Sequence, residues 1–128
     1  MQKKSVSLVL AAALLAASAS ASVINYSSRA SSTGPLASGI DYKNHIEGLT
    51  AVAPGAGYCD TALGSLSGIT NQGVCGGSNN NVAFHFQALF GVAANEAGSW
   101  GFRAGVDFGR GGAMFLDGVL LDWDASDL

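Results

Sequence analysis

The sequence predicts an all-β fold, an antiparallel β-sandwich or jelly-roll-like arrangement, on three observations. Val82, Phe84, Phe86, Ala88, Phe90 and Val92 alternate with Ala83, His85, Gln87, Leu89 and Gly91, the period-two pattern of a strand with one buried face. An Asp117-Gly118 pair stands between the apolar runs Ala113 to Leu116 and Val119 to Trp123, which is the signal of a hairpin closed by a type I′ turn. Low charge with 18 glycines and only two prolines fits a turn-rich β protein.

Taken in order, the chain opens with a positively charged start, Lys3 and Lys4, an apolar run from Val6 to Ala17, and the small residues Ala19-Ser20-Ala21. That pattern predicts a secretory signal recognised by export machinery and cleaved between Ala21 and Ser22. The apolar run is too short to span a bilayer, so no retained membrane anchor is expected. Residues 22–39 are rich in Ser, Ala and Gly with Arg29 as the single charge, and read as a flexible leader with one short strand near Val23 to Tyr26. A β domain is expected over 40–128. Within it Ile40 to Leu49 suggests a short helical turn, and Thr50 to Ala53 a short strand stopped by Pro54 and Gly55. A loop with a short strand near Ile69 to Val74 follows, then the turn cluster Gly76 to Asn81 and the alternating strand. A further strand is expected where Trp100, Phe102, Ala104, Val106 and Phe108 share a face, before the hairpin, in which Leu116 should oppose Val119 and Phe115 oppose Leu120. The sequence stops at Asp127-Leu128 directly after a strand, so the sheet is expected to be completed by further chain or covered by an N-terminal strand.

Cys59 and Cys75 are the only cysteines, and in an exported chain an even count is read first as a disulfide. Closing a loop of this length is worth roughly 3 kcal/mol. The competing reading is a zinc site made of His45, Cys59, Cys75 and His85, but these four contain no closely spaced ligand pair of the kind structural zinc sites use. Loss of Lys3 and Lys4 with the signal would leave Arg29, Lys43, Arg103 and Arg110 against nine acidic residues, a formal charge of −5. So acidic a chain, with its cations scattered, lacks the basic patch that a nucleic-acid partner requires.

Motifs with catalytic overtones lack their context. Asp107-Phe108-Gly109 matches a kinase metal-binding tripeptide without the companion signatures, and Gly109-Arg110-Gly111-Gly112 precedes a strand, not the helix a phosphate loop needs. Gly64-Ser65-Leu66-Ser67-Gly68 places Leu66 where a nucleophile elbow needs serine. Asp107, Asp122, Asp124 and Asp127 form the remaining cluster, whose oxygens suit calcium or the orientation of a sugar. The loop beginning at Asp122 lacks the glycine and distal glutamate of a calcium hand, so no metal or other cofactor is assigned and calcium stands only as the alternative. Trp100 and Trp123 could stack on a sugar, but their places on apolar strand faces favour core packing. His85, on the mixed face of its strand, is read as structural.

The stretch Gly98 to Val119, including Trp100-Gly101-Phe102-Arg103 and Phe115-Leu116-Asp117-Gly118, resembles exported bacterial proteins of the PEP-CTERM class, which carry an exosortase sorting tail. Val74-Cys75-Gly76-Gly77-Ser78 and Ala83-Phe84-His85-Phe86 are similar to the same group. The stretch from Asp107-Phe108-Gly109 to Phe115-Leu116-Asp117-Gly118 also resembles the core hairpin of protective-antigen-type carbohydrate-binding sandwiches. The sorting tail of Pro-Glu-Pro, apolar helix and basic cluster is absent from these residues, implying either a longer chain or a released protein. The resemblance implies an exported β-sandwich of the cell envelope or extracellular matrix, often connected with polysaccharide. The expected function is therefore non-enzymatic, with polysaccharide as partner and Asp107, Arg110, Asp122 and Asp124 as candidate ligand-binding residues. The alternatives are a secreted carbohydrate-active hydrolase using Asp107 with Asp122 or Asp124, and a self-associating matrix protein.

Overall fold

The computed structural model describes residues 21–93, 95, 97–99 and 109–125. The secretory signal expected before Ala21, the strand expected over Trp100 to Phe108, and the acids Asp107 and Asp127 lie outside the described residues. Among the described residues the fold is mostly β, with two small antiparallel sheets. Strands β1 (Ala21–Ala30), β2 (Asp60–Leu63) and β3 (Val82–Phe90) form a sheet in the order β2-β1-β3, and β4 (Gly112–Leu116) and β5 (Val119–Asp124) form a hairpin. Two helices accompany the sheets: α1 (Gly39–Thr50), where a short helical turn was expected, and α2 (Asn71–Cys75), where none was.

The stretch expected to be a flexible leader supplies the central strand of the larger sheet. Ile24, Tyr26 and Ser28 make one buried face of β1, and Tyr26 and Ser28 are fully buried. Across the ladder Tyr26 opposes Phe86 and Ser28 opposes Phe84, so all four side chains share that face. The Tyr26 ring centroid lies 5.3 Å from that of Phe86 and 5.9 Å from that of Phe84. Burial pushes the Tyr26 phenol above its ordinary pKa. The serines that make β1 look like a linker are needed for fit: Ser28 Oγ accepts the Cys59 amide at 3.3 Å and sits 3.5 Å from Cys75 Sγ, where a larger side chain would collide with the disulfide. The alternating strand is present as β3. Phe84, Phe86 and Ala88 of its apolar set are half-buried, whereas Phe90 at its end is exposed.

Helix α1 extends the short helical turn expected over Ile40 to Leu49 to three full turns, and the strand expected over Thr50 to Ala53 is instead the helix end at Thr50 and the irregular chain after it. Its start is fixed by Ser38, whose Oγ accepts the Asp41 amide at 3.2 Å and donates to Asp41 Oδ2 at 2.7 Å. Lys43 and Glu47 pair one turn apart at 2.7 Å. The buried Tyr42 anchors α1 to the segment before β4, donating to the Arg110 carbonyl at 2.6 Å and accepting the Leu36 amide at 3.0 Å. Helix α2 stands where a strand was expected near Ile69 to Val74, because Thr70 Oγ1 caps the Gly73 amide at 3.1 Å and Gly76 takes the left-handed C-cap conformation.

The hairpin forms as its turn dictates. Asp117 and Gly118 have φ of +48° and +80°, the type I′ pair, with Leu116 opposite Val119 and Phe115 opposite Leu120. Met114 then opposes Asp122, leaving Leu121 as a bulge. The bulge puts Leu120 and Trp123, three residues apart, on the same side against α1: a methyl group built on Gly39 would lie 2.6 Å from Leu120 Cδ1 and 3.1 Å from Trp123 Cβ.

Arg29 joins these parts. Its side chain is almost fully buried, yet all five of its N–H groups are used. Nη1 and Nη2 each donate to one oxygen of Asp60 at 2.8 Å, and the rest of the fork reaches the carbonyls of Ser28, Leu49, Thr50 and Val52 at 2.7 to 3.2 Å. Helix α1 has no basic residue in its last turn, and Arg29 supplies from β1 the cation that its C-terminal carbonyls favour.

The Arg29 hydrogen bond holds the Asp60 carboxyl below its ordinary pKa and pushes the guanidinium up. A carboxyl depressed on folding stabilises the fold above its unfolded-state pKa, and that contribution is lost as pH falls through the folded-state value. Asp60→Asn should therefore flatten the acid limb of stability measured by urea denaturation below about pH 4. Arg29→Ala, which strands several part-buried carbonyls, should lose about 1–3 kcal/mol at neutral pH, with Arg29→Lys recovering only part because it lacks the fork.

Candidate functional site

Next to the C-terminal end of β1 lies an open depression of about 490 Å³, lined by Ala30, Ser31, Ser32, Tyr58, Ser78, Asn80 and Asn81. Three separate pieces of chain build it: the segment leaving β1, the residue before Cys59, and the turn between α2 and β3.

The disulfide Cys59–Cys75, with Cα atoms 5.6 Å apart, fastens the Tyr58 side of this depression to α2 and so to the turn that follows it. The sulfurs are bonded to each other, which removes the zinc alternative; His45 and His85 lie elsewhere, His45 beside Ser31 and His85 opposite Ser27 on the sheet. The fully buried Asn71 ties the same two pieces together. Its Nδ2 donates to the carbonyls of Gly57 and Ser78, each at 2.8 Å, and its Oδ1 accepts the Tyr26 hydroxyl at 3.3 Å. Gly57 and Gly77 touch backbone to backbone, so a Cβ on either would lie within 2.6 Å of the other's main chain. No side chain fits between them, and Gly57 also holds a φ of +80°.

The turn itself is fixed by its own side chains. Asn79 Oδ1 accepts the Gln72 amide at 2.8 Å, Ser78 Oγ accepts the Asn80 amide at 3.0 Å, and the Asn81 carbonyl accepts the Ser31 amide at 2.8 Å. Ser31 Oγ is also engaged, accepting the Thr33 amide at 3.3 Å and sharing a hydrogen bond of 2.9 Å with His45 Nε2. The side-chain amides of Asn80 and Asn81 and the phenol of Tyr58 have no hydrogen-bond partner among the described residues. These groups offer donors and acceptors into an open, uncharged depression on a braced frame.

Arg110, Asp122 and Asp124, the candidate residues that are described, do not line it. Arg110 comes nearest: its Nη1 donates to the Ser32 carbonyl and its own carbonyl is held by Tyr42, so its guanidinium braces the segment that lines the depression. Asp122 is exposed on β5 and accepts the Trp123 amide on Oδ1 at 2.9 Å; Asp124 closes the strand opposite Gly112. Asp107 lies outside the described residues. Among the described residues, no group of three His, Cys, Asp or Glu side chains is placed to share a cation. Trp123 packs its Cβ toward Gly39 and does not border the depression. Sequence reasoning missed Tyr58, Asn80 and Asn81, since asparagines in a Gly-rich turn are explained by turn formation alone.

Comparison with known proteins finds no match to this chain, whether among protein-family models, curated proteins or solved structures.

Asn71→Ala should remove all three of its bonds and leave the buried Tyr26 hydroxyl unsatisfied, at about 1–3 kcal/mol for that group alone, read from the urea midpoint. The double substitution Cys59→Ser with Cys75→Ser should lower stability by about 3 kcal/mol in the same assay.

Proposed function

We propose that this protein works outside the cytoplasm as a non-catalytic, disulfide-stapled β domain that binds polysaccharide in the cell envelope or extracellular matrix. The observation that carries the reading is the depression beside β1, where the phenol of Tyr58 and the amides of Asn80 and Asn81 are uncommitted and held on a braced frame. Sugars present hydroxyls that both donate and accept, and amide and phenol side chains answer them in kind. An open, shallow site suits a polymer, whose chain must enter and leave sideways.

The disulfide points to an oxidising, non-cytoplasmic compartment. The charged and apolar pattern before Ala21 supports passage there by a cleaved signal. No helix among the described residues is long and apolar enough to cross a membrane. The reading takes in the sandwich architecture of the PEP-CTERM-like proteins that the sequence resembles, to which the three-stranded sheet and the hairpin would both contribute. Arg110 serves in it as a brace for the Ser32 side of the site.

Expression of the complete 128-residue chain in a bacterium tests the export half of the reading. The expected result is protein in the periplasm or medium with Ser22 at its N-terminus by Edman or mass-spectrometric sequencing. Recovery of intact, Met1-bearing protein from the cytoplasm alone would overturn it.

A further inference from the structure

Resting on the polysaccharide reading, we infer that the depression formed by Tyr58, Asn80 and Asn81 selects a neutral glycan over an acidic one. Among the described residues no carboxylate, ammonium or guanidinium lines it. An acidic polysaccharide carries uronate, sulfate or phosphate groups, and a site that takes such groups from water normally answers each with a charge-assisted hydrogen bond from arginine or lysine. The cations of the described residues stand outside the lining. Arg29 is buried and spends its whole fork on Asp60 and four carbonyls. Lys43 is paired with Glu47 on α1, and the exposed Arg110 is not among the lining residues, its Nη1 donating to the Ser32 carbonyl. The acidic balance of the chain adds a repulsive field against any polyanion.

What the site does offer matches uncharged hydroxyls. Each asparagine amide presents a donor and an acceptor side by side, which suits a pair of neighbouring sugar hydroxyls. Tyr58 adds an aromatic surface for the apolar face of a pyranose ring and a hydroxyl at its rim. The frame is set before the ligand arrives, because Asn71, the disulfide and the Gly57–Gly77 contact hold both walls. Little ordering cost is then left to the binding step.

Affinity electrophoresis of the oxidised protein tests this, in native gels containing either neutral polymers (β-glucan, hydroxyethylcellulose, galactomannan, dextran) or acidic ones (alginate, polygalacturonate, hyaluronan). The expected result is retardation by at least one neutral polymer and by no acidic one, with the dissociation constant raised at least tenfold by Tyr58→Ala and by Asn80→Ala. Asn80 is exposed and its side chain holds nothing else, so its variant reads the site without disturbing the fold. Circular dichroism of the Tyr58 variant checks the same for that position. Retardation by acidic polymers alone would overturn the neutral selection while leaving polysaccharide binding intact. Retardation by neutral polymers that both variants retain would overturn the site. No retardation in any gel would overturn the polysaccharide reading and this inference with it.

Discussion

A guanidinium buried near the end of the central strand of a small sheet is the constraint on which the rest of this fold depends. Desolvating Arg29 is costly, and the cost is met only because each of its N–H groups finds an acceptor. Those acceptors belong to different elements. The carboxylate comes from β2, where Asp60 opposes Ser27 and so presents its side chain on the same face as Arg29; the carbonyls come mainly from the end of α1. Satisfying one residue therefore positions a strand and a helix relative to β1. Asp60 remains half-exposed, which keeps the pair from being a doubly buried ion pair with its heavier penalty.

From α1 the constraint passes outward. Tyr42 holds the Arg110 carbonyl, Gly39 admits Leu120 and Trp123, and the bulge at Leu121 turns both of those side chains the same way. The hairpin is thus docked on a helix that is itself docked by Arg29. On the opposite face of β1 a separate polar centre does comparable work. Asn71 collects the Tyr26 hydroxyl and two carbonyls, and the disulfide beside Ser28 closes the loop around it. With so small an aromatic cluster, built on Tyr26, Phe84 and Phe86, the chain draws much of its organisation from these polar centres and from a covalent staple.

The proposed ligand site is a by-product of that second centre. Its walls are the residues immediately outside the disulfide and the Asn71 bonds: Tyr58 on one side, the Ser78 to Asn81 turn on the other. The bonds that stabilise the fold also hold the proposed recognition groups in place, and no charged side chain among the described residues lines the depression.

Local chemistry was legible in the sequence. The alternation of β3, the Asp117-Gly118 turn with its pairing, and the Cys59–Cys75 bridge each depend on near neighbours or on a residue type with one dominant use. The helices were in principle legible too: Ser38 stands three before Asp41, and Thr70 precedes a glycine-closed turn at Gly76, though glycines at both ends of α1 and the lack of an apolar stripe obscured them. Only the tertiary structure decided that a Ser-rich segment becomes the central strand, that Arg29 is buried, and that Tyr58, Asn80 and Asn81 converge on one depression. The reason is range. Apart from the adjacent Ser28 carbonyl, Arg29 meets its acceptors twenty to thirty-one residues away, and Asn71 reaches forty-five residues back to Tyr26, so neither partnership leaves a periodic mark in the sequence.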